Sequence, residues 1–176
     1  MNIKLAAAAG LFAWIVAKTI EGETNVIDRG QVFAMIDKLN REEFGGWFDP
    51  WDVMALVQVE SSFRPRVMRY EEHLGEASLG LTQVLLSTAR DRGYAGGPGG
   101  LLDDPYMNLR MGMRQLRWSY DYLASRLGRA PSREQWFGSY NAGVGNVVKG
   151  NIPLAYAGKI DRARAALEAD PGAVLA

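Results

Sequence analysis

Residues 50–60 read PWDVMALVQVE, an apolar helical stretch with an acid where another core residue is due. At about 100° of rotation per residue, Val57, Leu56, Val53 and Phe63 fall within roughly 60° of Glu60, while Gln58, Ala55 and Trp51 fall on the other side. The spacing predicts an apolar stripe with Glu60 at its centre. Such an acid has two readings. It can pair with Arg64 or Arg66 as an ordinary helix-end charge. Or it can sit in a partly apolar pocket, where desolvation and the carbonyl end of its own helix both raise its pKa. Each unit of that shift represents ~1.4 kcal/mol in favour of the neutral form. A carboxyl that keeps its proton near neutral pH is a general acid, the group a glycosidic oxygen needs in order to leave.

Composition narrows the chemistry further. The 176 residues contain no cysteine and a single histidine, His73. Disulfides, thiolate metal sites, His-based metal clusters and Ser–His or Cys–His nucleophile pairs are therefore excluded. Carboxylates, amides and hydroxyls remain. Twenty basic and twenty acidic residues cancel, so nothing points to a nucleic-acid surface. With 48% hydrophobic residues, the length suits one core.

The elements that must position Glu60 read as helices. At the N-terminus, Leu5 to Ala17 form an uncharged run between Lys4 and Lys18. Its helical length of roughly 20 Å falls short of the ~30 Å hydrocarbon layer. Residues 1–20 therefore read as a signal, an anchor or a docking helix, and 21–176 as the globular domain. Residues 28–46 carry apolar positions at Val32, Met35, Ile36 and Leu39, and stop at Gly45–Gly46. Asp49-Pro50 opens the next helix as N-cap and first helical residue, and Pro65 is expected to end it. Residues 66–105 are turn-rich, with a small hairpin expected near 66–83. A long core helix is expected from Tyr106 to Leu127, ended by Gly128. A Ser132/Gln135 capping box opens 131–141, and a helical tail runs to about Asp170. The fold class is all-α with a minor hairpin.

Three short segments then fall in order: Glu60-Ser61-Ser62-Phe63, Gly80-Leu81-Thr82-Gln83 and Tyr140-Asn141-Ala142-Gly143. Together with RYEEHLGEASLGLTQ, which is similar to a common variant of the segment joining the first two, this pattern resembles the catalytic domain of the soluble lytic transglycosylases, which share the goose-type lysozyme fold. The resemblance covers roughly residues 47–165. It implies a single lysozyme-like domain with Glu60 as the catalytic acid and Ser61 in support. It also implies a sugar cleft formed with Thr82, Gln83, Tyr140 and Asn141, and a later tyrosine at Tyr156. Two departures stand out. Thr82 replaces the usual methionine, and the Glu-Thr pair that usually precedes the later tyrosine is absent.

The resemblance implies cleavage of the β-1,4 bond between N-acetylmuramic acid and N-acetylglucosamine in peptidoglycan glycan strands, leaving a 1,6-anhydro end. No metal or organic cofactor is implied. A lysozyme-type muramidase using Glu71, Glu72, Glu76 or another acid, and a non-catalytic wall-binding component, are the alternatives. Otherwise these three glutamates read as solvated loop charges, and His73 as structural. Trp118, Tyr122 and Trp136 read as core before sugar platforms. GGPGG (96–100) lacks the Lys-Ser/Thr of a phosphate loop. The expected location is the cell envelope or periplasm, with membrane, envelope-machine or virion contact through residues 1–20.

Overall fold

The computed structural model describes residues 25–175; the N-terminal run expected to be a signal, anchor or docking helix lies outside them. In chain order the elements are α1 (Arg29–Phe44), α2 (Pro50–Ser61), β1 (Met68–Glu71), β2 (Glu76–Leu79), β3 (Val84–Leu85), α3 (Leu86–Asp91), α4 (Pro98–Asp103), α5 (Pro105–Leu127), α6 (Arg133–Ala142), α7 (Val144–Val148), α8 (Leu154–Ala169) and α9 (Gly172–Leu175).

Local chemistry explains the main boundaries. Asp49 accepts from the Trp51 N–H at 3.0 Å, with Pro50 in the first turn of α2. Asp104 and Pro105 repeat the device on α5, and Gly128 ends that helix at φ 65°. Both halves of the Ser132/Gln135 capping box form on α6. Such caps satisfy backbone groups that a helix end leaves without partners.

Two expectations for α2 need correction. The helix does not run to Pro65; it ends at Ser61, because Ser62 and Phe63 both take left-handed backbone, at φ 53° and 62°. Burial of the Phe63 ring and the hydrogen bond from Ile27 N–H to the Phe63 carbonyl (2.9 Å) hold this conformation. Nor does α2 carry a single apolar stripe. Asp52, Val53, Met54, Ala55, Leu56 and Val57 are all buried, so the helix is enclosed on every side until its last turn. It is the central rod of the fold, packed against α1 and α8.

The expected hairpin is present as β1 and β2, antiparallel with Met68 opposite Leu79 and Glu71 opposite Glu76. A short third strand adds to it in the order β1-β2-β3. The turn-rich stretch after it also holds α3 and α4. Pro98 opens α4, whose Leu101 and Leu102 are buried beneath the sheet with Met68, Leu79, Val84 and Met111. A larger cluster encloses α2, with Ile36, Leu39, Leu109, Leu116, Phe137 and Ile160 among its members. The protein thus has a helical lobe and a smaller sheet lobe, with the long helix α5 contributing to both.

Candidate active site

The seam between the lobes opens into a cavity of about 360 Å³. Glu60, Tyr140 and Asn141 line it from the helical side. Arg69, Glu71, His73, Leu74, Ser78, Gln83 and Leu85 line it from the sheet side. The last turn of α2 delivers Glu60, and the end of α6 delivers Tyr140 and Asn141.

Glu60 is bonded from a distant element. The Tyr156 hydroxyl, on α8, donates to Glu60 Oε1. Burial pushes the Glu60 carboxyl above the usual carboxylate range; the Tyr156 donor and the Arg69 and Lys159 charges oppose this, while the Glu71 charge reinforces it. Neither Arg64 nor Arg66 takes the helix-end pairing considered from sequence. Arg64 donates to the Ser61 carbonyl at 3.0 Å, and Arg66 pairs with Asp103 at 3.2 Å. Burial, with the Glu60 charge added, holds the phenols of Tyr140 and Tyr156 well above the usual tyrosine range. Both are hydrogen-bond donors here. Tyr140 gives its proton to the Thr82 carbonyl at 2.8 Å.

The remaining motif residues divide into wall and support. Gln83 adopts left-handed backbone at φ 48° and is held on every side-chain atom that can bond. Its Nε2 donates to the Val67 and Gly80 carbonyls at 3.0 and 2.9 Å, and its Oε1 accepts from Ser78 Oγ at 2.9 Å. Asn141 is exposed at the cavity edge. Ser61 and Thr82 do not line the cavity. Ser61 is buried, with its hydroxyl on the Val57 carbonyl at 3.1 Å. Thr82 is wholly buried, its hydroxyl donating to Asn108 Oδ1 at 2.8 Å. This hydroxyl accounts for a threonine at a position where an apolar side chain would have no use for Asn108.

Asn108, on α5, organises the turn that carries Gly80 to Gln83. Its Oδ1 also accepts from the Thr82 N–H at 2.9 Å, and its Nδ2 donates to the Leu79 and Leu101 carbonyls at 2.8 and 3.0 Å. The turn needs glycine at Gly80, which has φ 70° and lies where a Cβ would come within 2.3 Å of the Asn108 amide. Across the seam, Gly112 makes room for Thr82; a Cβ there would lie 2.6 Å from the threonine side chain.

A second support was not foreseen from sequence. Asp52 is buried in the first turn of α2 and meets Arg133 of α6 at 2.7 Å and Arg164 of α8 at 2.6 Å. These helices carry Tyr140 and Tyr156. An acid in a first helical turn reads as an ordinary favourable charge on the helix dipole, so nothing in the pattern marks its burial. Glu71 and His73 read as a loop charge and a structural residue, yet both line the cavity. The available signal was the alternation of Arg69 and Glu71 along a strand, which puts both on one face. Trp136 is core, as expected, whereas Trp118 and Tyr122 stack 5.2 Å apart outside it, with Arg92 over the Trp118 ring.

Residues 47–159 match the family model of the transglycosylase SLT domain. The fold is similar to that of the 70 kDa soluble lytic transglycosylase SLT70 from Escherichia coli, with a TM-score of 0.59 and 23% sequence identity. The match covers 79% of this chain and 25% of the other, so the chain spans about a quarter of that protein's length.

Proposed function

This chain belongs to the transglycosylase SLT domain family, and from that premise we propose that it is a peptidoglycan lytic transglycosylase cleaving the β-1,4 bond between N-acetylmuramic acid and N-acetylglucosamine. The observation that carries the reading is Glu60. Its carboxyl is largely withdrawn from water at the seam, inclined to keep its proton, and held by Tyr156 through one oxygen so that the other is left to act.

In the proposed reaction Glu60 protonates the leaving oxygen as the glycosidic bond breaks. The substrate's own acetamido oxygen closes on C1. The Glu60 carboxylate then takes the proton of the muramoyl 6-hydroxyl as that oxygen attacks C1, leaving a 1,6-anhydro end. One residue serves first as acid and then as base. Gln83, Tyr140 and Asn141 shape the sugar cleft. Ser61 and Thr82 act from behind it, through the helix end and the Asn108 turn. Tyr156 orients the acid. The catalytic domain spans 21–176, and residues 1–20 serve export, anchoring or docking at the cell envelope. Among the described residues no helix is long and apolar enough to cross a membrane.

One observation supports a second reading. Glu71 shares the cavity with Glu60, and a second carboxylate is what a hydrolysing muramidase needs to activate water or attack the sugar. Mass analysis of muropeptides released from purified sacculi separates the two. Anhydro ends, one water lighter than hydrolytic ones, are expected. Products that all carry reducing muramic acid ends would overturn the transglycosylase reading.

A further inference from the structure

We infer that Glu71 is a second catalytic carboxylate of this cavity, the hydrogen-bond acceptor for the cationic ring that the substrate's acetamido group forms at C1. This rests on the transglycosylase reading and gives it a residue that the three motif segments do not contain.

The three acids of the hairpin have separate fates. Glu72 is exposed at the turn. Glu76 is committed to the start of α3, where its carboxylate accepts from the Ser87 N–H at 2.6 Å and the Ser87 hydroxyl at 2.7 Å. Glu71 is half-buried and lines the same cavity as Glu60. Sheet register puts it there: it is the last residue of β1, two positions from Arg69 and on the same face. Ser78, on the neighbouring strand, sits 3.3 Å from Glu71 Oε1 and 2.9 Å from Gln83 Oε1. Its single hydroxyl proton therefore favours Gln83. Glu71 is placed by the backbone and is left able to accept a further hydrogen bond.

The reaction creates a donor for it. When the C1–O bond breaks, its electron pair leaves with the oxygen that receives the Glu60 proton. The acetamido oxygen bonds to C1, and the resulting five-membered ring carries a positive charge and an N–H. Glu71 accepts from that N–H and stabilises the charge from a fixed position on the sheet wall of the cavity. Attack by the 6-hydroxyl oxygen then breaks the new C1–O bond, returns its electrons to the amide, and sends the hydroxyl proton to Glu60. No other reactant is consumed.

The groups facing Glu60 fix the accompanying pH effect. They are Tyr156 and Lys159 from α8, Arg69 and Glu71 from β1, His73 from the turn after β1, and Tyr140 from α6. Among these Glu71 is the one acid, so its removal eases ionisation of Glu60.

The test uses Glu71→Gln and Glu71→Asp in the full chain, acting on soluble peptidoglycan glycan strands, with Glu60→Gln as control. For Glu71→Gln, kcat is expected to fall about 10- to 100-fold, with KM changed less than about twofold. The alkaline limb of the pH–rate profile should move to lower pH, the thermal midpoint should stay in place, and Glu71→Asp should recover part of the rate. A Glu71→Gln enzyme within about threefold of wild type, with its pH profile unmoved, overturns this role while an inactive Glu60→Gln leaves the transglycosylase reading intact. An active Glu60→Gln enzyme overturns the assignment of Glu60 and with it the proposed reaction. Products from the wild type that all carry reducing ends overturn the transglycosylase reading on which this role rests, because water then does the work assigned to the 6-hydroxyl.

Discussion

The hydroxyl of Tyr156 donates to the carboxylate of Glu60 across 96 positions of sequence. This bond joins α2 to α8 and opposes the effect of burial on Glu60, since a donor favours the charged form. Replacing Tyr156 by Phe removes the opposition. Glu60 should then hold its proton to higher pH, and the alkaline limb of activity should move upward. The maximal rate should fall roughly tenfold, the scale of one hydrogen bond to a charged group. A pH–rate profile of Tyr156→Phe checks both, and a limb that stays in place would count against the bond.

Glu60→Gln should remove activity by at least about 100-fold while leaving the fold intact. Its stability carries an independent signature. The folded-state pKa of Glu60 is raised, so below the unfolded pKa both states are protonated and Glu60 imposes no penalty. As pH climbs from the unfolded value through the folded one, the unfolded chain ionises first and the folded state loses ground. Glu60→Gln should therefore match or exceed wild type in thermal midpoint at neutral pH, with the advantage vanishing near pH ~4. Melting curves at several pH values would expose an opposite trend.

Asn108 answers three backbone groups from a wholly buried position. Asn108→Ala leaves the Thr82 N–H and the Leu79 and Leu101 carbonyls without their partner, and should destabilise by about 2–4 kcal/mol. Urea unfolding measures it. Activity at low temperature should also fall, because Tyr140 and Gln83 both lean on this turn.

Asp52 offers a comparable test in the helical lobe. Asp52→Asn preserves size but removes the charge that Arg133 and Arg164 share. A loss of roughly 2–4 kcal/mol is expected, since breaking one side of a buried ion pair leaves the other uncompensated. The loss should change little with added salt, because burial limits screening. A variant as stable as wild type in urea would contradict this.

Deleting residues 1–20 should leave a folded and active domain. Circular dichroism and muropeptide release test the two halves of that expectation. If the shortened chain unfolds, the N-terminal run belongs to the core and the anchor or export role fails.

Much of the scaffold was legible because its causes are local. Asp49-Pro50, the Ser132/Gln135 box and Gly128 announce their helix ends through side chains only a few residues away. Glu60 was legible too, as an acid interrupting an apolar run, and three ordered segments tied it to a family. The end of α2 was less visible, because Ser62 and Phe63 are held in left-handed backbone by the burial of Phe63 and its bond to Ile27. The apolar stripe became a fully enclosed rod because neighbouring helices cover every side of it. The burial of Asp52 depends on Arg133 and Arg164, more than eighty residues away. Most important, a run of glutamates at 71, 72 and 76 looks uniform along the chain. Strand register turns Glu71 into the cavity, Ser87 claims Glu76, and the turn leaves Glu72 in solvent. Residue type determines which groups can carry a proton or a charge; which of them meet is decided by helix packing and strand register, which join residues far apart in the chain.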